Sequence, residues 1–325
     1  MIVEPELQAW LDDRAAHRRA RASADAFARE WTDGVVHQGF DTTFVTLGDC
    51  SAEAVVDAAR ALFADDAWLD ALVAGLAETM RGDRYFEAPF RALHSDIHTG
   101  LLVYEDDHVT VTAGVSRLAA LARRKQAGGK GSIHFSGQLA VLKFLKAGGA
   151  RLAFWEADPI GPTFSAATAG LCRTSIVREI GDGEVVTVDG RRESYIIDHA
   201  RSNLLVLQAA VKTGQAPVSV EYDAASRGFI GCSAVDEGDC RIQMIATLAR
   251  KLGAPGAFAA IAAFLDHPSF FVRWHVMKEL LGVDAAAALP HLRRMSARDP
   301  HPDPRAAART VLDRIEATAP KRKAA

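Results

Sequence analysis

Gly181-Asp182-Gly183-Glu184-Val185-Val186-Thr187-Val188-Asp189-Gly190 spells a turn, a short strand and a second turn. Three valines and a threonine favour pleated backbone, and the Gly and Asp residues on either side punctuate it. The same grammar repeats outward in both directions. Leu152-Ala153-Phe154-Trp155 follows the Gly148-Gly149 break. Tyr195-Ile196-Ile197, Leu204-Leu205-Val206-Leu207 and Val218-Ser219-Val220-Glu221-Tyr222 continue the series downstream. Upstream, Leu101-Leu102-Val103-Tyr104 and Val109-Thr110-Val111-Thr112 flank the turn-like Glu105-Asp106-Asp107-His108. Many short strands between turns predict an antiparallel sandwich or barrel of jelly-roll type over residues 93–236. Two stretches, Ser116 to Lys125 and Gln138 to Lys146, read as helical, so the class is α+β.

Residues 1–92 read as a mainly helical segment. Val55, Val56, Ala59, Leu62 and Phe63 fall on one helical stripe behind Ser51, a natural N-cap. Trp68, Leu69, Leu72, Val73 and Leu76 form a second stripe. The β-branched run Thr42-Thr43-Phe44-Val45-Thr46-Leu47 predicts a short strand before them.

Residues 237–317 return to a helical period, with a polar tail over 318–325. Ile242, Ile245, Leu248, Ala249 and Leu252 make a stripe ended by Gly253, and later helices break at His267-Pro268 and Pro300-His301-Pro302. Asp266-His267-Pro268-Ser269-Phe270-Phe271-Val272-Arg273-Trp274 opens one helix and Asp299-Pro300-His301-Pro302-Asp303-Pro304-Arg305 opens another. This pattern resembles HEAT repeats, a family of antiparallel helix pairs in which the second helix often opens with aspartate, a turn and Val-Arg. A weaker copy begins at Asp239-Cys240-Arg241, which spaces Arg241, Arg273 and Arg305 equally. Proline stops one helix, and the arginine is then placed to bond turn carbonyls or acids of its neighbour. The resemblance implies an interaction or capping surface. So short an array is expected to pack on the β-rich domain rather than to stand alone.

Composition narrows the function. The 325 residues are 49% hydrophobic and 24% charged, with a net charge of −3, which excludes disordered and collagenous chains. It also gives no general attraction to nucleic acid or anionic membrane. No apolar run approaches the roughly 20 residues of a membrane span. With Glu4, Glu6, Asp12 and Asp13 at the start and four cysteines in all, the expectation is a cytoplasmic protein without a disulfide scaffold.

Two function classes follow. The first is a non-catalytic binding or adaptor protein that holds a peptide or partner-protein segment in a cleft between sheet and helices. Trp155 and Trp274 are expected to line that cleft, with Arg123, Arg124 and Lys130 in the glycine-rich basic loop around Gly128-Gly129-Lys130-Gly131 as its gate. That loop lacks the order of a phosphate-binding loop. The alternative is chemical. His94-Ser95-Asp96, completed by His199, resembles the facial triad of cupin-like iron(II), 2-oxoglutarate-dependent oxygenases. A His and an Asp two apart on a strand share a face, and Arg201 or Arg227 would partner the acidic co-substrate. Cys232 and Cys240 lack zinc spacing and are expected to be small buried hydrophobes.

Overall fold

The computed structural model describes residues 5–65, 67–95, 97–120 and 131–318. Five helices open the chain: α1 (Pro5–Asp12), α2 (Arg14–Asp33), α3 (Val35–Phe44), α4 (Ala52–Ala64) and α5 (Ala67–Gly82). Ser51 caps α4 as expected, its hydroxyl accepting from Ala54 N. The expected strand at 42–47 is not formed, because α3 runs through Phe44 and a 3-10 turn follows. Phe40 and Phe44 lie one helical turn apart and are fully buried, while Thr42 and Thr43 hydroxyls donate to Gln38 O and Gly39 O. Burial of two aromatics outweighs β-branched propensity here.

Among the described residues twelve strands follow: β1 (Ala92–His94), β2 (His98–Glu105), β3 (Val109–Ser116), β4 (Ser132–Phe135), β5 (Leu139–Lys146), β6 (Arg151–Glu156), β7 (Arg173–Glu179), β8 (Glu184–Asp189), β9 (Glu193–His199), β10 (Leu204–Val211), β11 (Val218–Asp223) and β12 (Phe229–Ala234). One sheet has the order β1-β2-β3-β10-β5-β8. The other layer is made of β12-β11-β4 and β7-β6-β9, which meet where Ser194 Oγ of β9 donates to His134 O of β4. Every ladder is antiparallel.

Alternation along the strands sorts the side chains into cores. On one face of the six-stranded sheet, Val109, Val111, Val141, Leu207 and Val211 bury against Phe40, Phe44, Val55 and Phe63 of the helices. On its other face, Leu142, Phe144, Val186, Val188 and Leu204 meet Leu152, Tyr195 and Ile197 of the second layer. Strand β5 is thus buried on both sides, and so its sequence lacks the alternation that separates strand from helix. That is why Gln138–Lys146 reads as helical and is not. Lys143 survives in this setting because its Nζ donates to Phe63 O at 2.8 Å, at the C-terminal end of α4.

The chain ends in α6 (Glu237–Lys251), α7 (Ala257–Ala262), α8 (Phe270–Val283), α9 (Ala285–Arg298) and α10 (Pro302–Thr318). Val272, Val276, Met277, Leu280, Ala288 and Leu292 form their shared core. The array packs on the outer face of the second layer as anticipated. Phe270 joins Val218, Val220 and Tyr222 in a third core, and His301 stacks on Phe270 with ring centres 3.7 Å apart. His301 Nε2 lies 3.0 Å from Phe164 O, and Asp303 accepts from Ala166 N at 3.0 Å. Among the described residues no helix is long and apolar enough to cross a membrane.

Candidate binding groove

A cavity of about 640 Å³ runs between the second layer and the helical array. Its walls come from β11 (Val218), β12 (Cys232, Ser233, Ala234), α6 (Cys240, Gln243, Met244, Thr247, Leu248, Lys251) and α8 (Phe271, His275). The cause lies in α6. Its core-facing positions are Ile242, Ala246 and Ala249, and two of these are small. Its large apolar residues point elsewhere: Met244 is 65% exposed, Leu248 52% and Leu252 72%. Of the stripe read from the sequence, Ile245, Leu248 and Leu252 are exposed.

Strand β12 supplies the second wall. Successive strand residues point to opposite faces, yet Cys232, Ser233 and Ala234 all border the cavity. By the β11–β12 register Val218, Cys232 and Ala234 share a face, so the cavity lies over that face of β12, next to its outer edge. That edge has no ladder partner among the described residues, since β12 pairs with β11 alone.

Behind the apolar lining is a fixed polar wall. Thr247 Oγ1 donates to Glu279 Oε1 at 2.9 Å and sits 2.9 Å from His275 Nε2. The Thr247 proton is spent on Glu279, so His275 donates from Nε2. Arg250 closes the set on the other Glu279 oxygen. Burial pushes Glu279 up, but bonds from Arg250 and Thr247 outweigh it and hold the carboxyl below its ordinary value. Burial, followed by nearby Lys278, lowers His275. A neutral imidazole faces the groove at pH 7.

Cys232 and Cys240 are exposed rather than buried, which corrects the sequence expectation. Desolvation raises both thiols, with the carboxylates of Asp239, Asp236 and Glu237 adding to the effect at Cys240. The raised values keep both thiols protonated at neutral pH. The arrangement offers apolar surface beside an unpaired strand edge, with the cation of Lys251 in its lining.

The sequence-predicted residues fall elsewhere. Trp155 on β6 borders a smaller cavity of about 170 Å³ beside Phe154, Ile176 and Val186. Trp274 packs against the core of the helical array. The two are not brought together, and neither lines the larger groove. Arg123, Arg124 and Lys130 lie outside the described residues, as does Asp96. His94 is exposed on β1, 3.2 Å from Thr99 Oγ1, and His199 is exposed at the end of β9 opposite Arg151. The cluster between the layers beside β9 is apolar, and no three His, Cys, Asp or Glu side chains are grouped for a metal among the described residues. Arg201 lies against Gly149, and Arg227 occupies the β11–β12 turn.

Comparison with known proteins settles the C-terminal segment. Residues 234–313 match the family model described as HEAT repeats. The array is a HEAT-repeat segment. Solved structures add low-scoring likenesses. A cupin domain from Bordetella pertussis Tohama I is 12% identical and covers 37% of this chain and 99% of its own, with a TM-score of 0.23. The 7S globulin of Momordica charantia is 10% identical over 42% of this chain and 36% of its own, at 0.25. The polyketide cyclase RemF from Streptomyces resistomycificus is 12% identical over 45% and 80%, at 0.23. At these scores the likenesses carry no argument, and the sandwich stands on its own strand pairing. The comparison with curated proteins returned no match.

Proposed function

We propose that this protein is a non-catalytic binding or adaptor protein that receives an extended peptide or partner-protein segment in the groove between β12 and α6. The observation that carries the reading is a cavity lying beside an unpaired strand edge, with an apolar floor from the C-terminal helices. A segment added to β12 satisfies backbone groups along its length, while alternate side chains enter the pocket between Met244, Leu248 and Phe271. HEAT repeats are interaction modules as a class, which agrees with this reading. Lys251 at the rim favours a segment with an acidic residue beside its apolar ones.

A displayed random-peptide library selected on the full chain tests the proposal. Enriched peptides should carry aliphatic or aromatic residues at every second position, and should lose affinity for a Leu248→Asp variant. N-methylation of alternate backbone amides should abolish binding on one phase of the alternation and spare it on the other. Failure to enrich any peptide, or equal binding to Leu248→Asp, would overturn the reading.

A further inference from the structure

The core-facing positions of α9 are Ala288, Leu292 and Met295. Beside them runs a second stripe, His291, Arg294 and Arg298, spaced three and four residues apart so that the three side chains share one side of the helix. All three border a cavity of about 270 Å³, whose far wall is Asp266 in the chain between α7 and α8. This cavity has no lining residue in common with the groove beside β12, and its role is independent of the peptide proposal.

The charges in it are unevenly answered. Arg273 is buried and spends its fork on Asp299, with Nε and Nη2 donating at 2.9 and 2.7 Å. Arg294 donates from Nη2 to Asp266 Oδ1 at 2.8 Å, but the two side chains are 61% and 76% exposed. So wet a pair is worth little and gives way readily. Arg298 is exposed and has no ionic partner among the described residues. Three guanidiniums thus meet two carboxylates, and the surplus cation stands one turn from the loosely held Arg294.

A carboxylate fits this arrangement poorly, since Asp266, with one charge, engages Arg294 alone. A phosphomonoester brings three free oxygens and nearly two negative charges, enough to accept from both guanidiniums at once. Arginine forks match that geometry better than any other side chain. We infer that the cavity beside Arg294 and Arg298 binds a phosphomonoester, with His291 as a further donor and Asp266 releasing Arg294 to it. A cation in the last turn of a helix also suits its carbonyl end, so the readout that tests the site is binding rather than stability.

An NMR titration of the full chain with inorganic phosphate, at constant pH and with ionic strength held by chloride, provides it. Saturable shifts are expected in the amides at the end of α9. Arg298→Gln should weaken binding by about tenfold, the loss of one charge-assisted donor. Arg293→Gln, an exposed neighbour that does not line the cavity, should leave it unchanged. Asp266→Asn removes the competing anion and should tighten it. Repeating the titration with O-phosphoserine and with phosphoserine peptides separates the sources. Equal affinities assign a small free phosphomonoester, and tighter peptide binding assigns a phosphorylated side chain. Shifts that do not saturate, equal losses in Arg293→Gln and Arg298→Gln, or an Asp266→Asn variant that binds no tighter would each overturn the inference.

Discussion

Arg273, in the first turn of α8, grips Asp299 at the end of α9 with both sides of its guanidinium. Its Nε and Nη2 meet the two carboxylate oxygens at 2.9 and 2.7 Å. Its third nitrogen, Nη1, donates to His267 O and Pro268 O, both at 2.8 Å. The side chains are 7% and 3% exposed, so the pair is dry. This arginine stitches a proline-stopped turn to the neighbouring helix, the role its position in the repeat implied. Arg305 repeats half of it by donating to Asp299 O. Arg241 does not: it is exposed and pairs with Glu237 on its own helix.

Removing one partner should therefore have unequal effects along the repeat. Asp299→Ala leaves a buried guanidinium without its anion and should cost about 3–5 kcal/mol. Arg241→Ala should cost less than about 1 kcal/mol. Urea denaturation of the two variants beside the parent measures both.

Stability should fall as the solution is acidified below neutrality. Burial holds His98 and His275 below the ordinary imidazole value of 6.5. The unfolded chain therefore binds these protons at a higher pH than the folded chain does. Their contribution is intact above about pH 6.5 and is lost progressively as pH drops through that value towards the depressed folded ones. Glu279, held low by Arg250 and Thr247, extends the loss into the carboxylate range. Urea midpoints at a series of pH values check this, and His275→Gln should flatten the slope between neutrality and mild acid.

The β11–β12 turn offers a gain. Arg227 has a φ of 62°, the left-handed region that a side chain resists. Arg227→Gly should raise stability by about 0.5–1 kcal/mol, the relief of strain being partly offset by the extra freedom of the unfolded glycine. Thermal melts of the variant and the parent decide it.

Much of this was legible in the sequence, and the exceptions share a cause. Strands fenced by Gly and Asp, such as Glu184–Asp189, announced themselves because turn chemistry is local. Leu139–Lys146 and Val35–Phe44 did not, because burial on both faces in one and two fully buried phenylalanines in the other override local preference. The repeat was readable from Arg273 and its prolines. The groove was only half readable: a cleft between sheet and helices was expected, but its lining was sought in Trp155 and Trp274. Met244, Leu248 and Leu252 form a helical stripe whether they face a core or a groove, and periodicity alone does not say which. The available signal was the small size of Ala246 and Ala249, since a helix that packs through alanine points its larger residues elsewhere.

The iron(II) alternative has its own discriminator. On the binding account, His94→Ala and His199→Ala leave peptide affinity unchanged. Metal analysis of protein prepared under reducing, iron-supplemented conditions should show no iron whose retention depends on His94. Stoichiometric iron lost in His94→Ala would favour the oxygenase instead.

The most direct measurement is hydrogen exchange on the full chain, with and without a library-selected peptide. Strand addition predicts slowed exchange across Phe229–Ala234 together with the α6 segment around Met244 and Leu248, and little change in β1, β8 or the N-terminal helices. Slowed exchange in α6 with β12 untouched, or protection confined to a distant element, would contradict the claim that the free edge of β12 receives the partner.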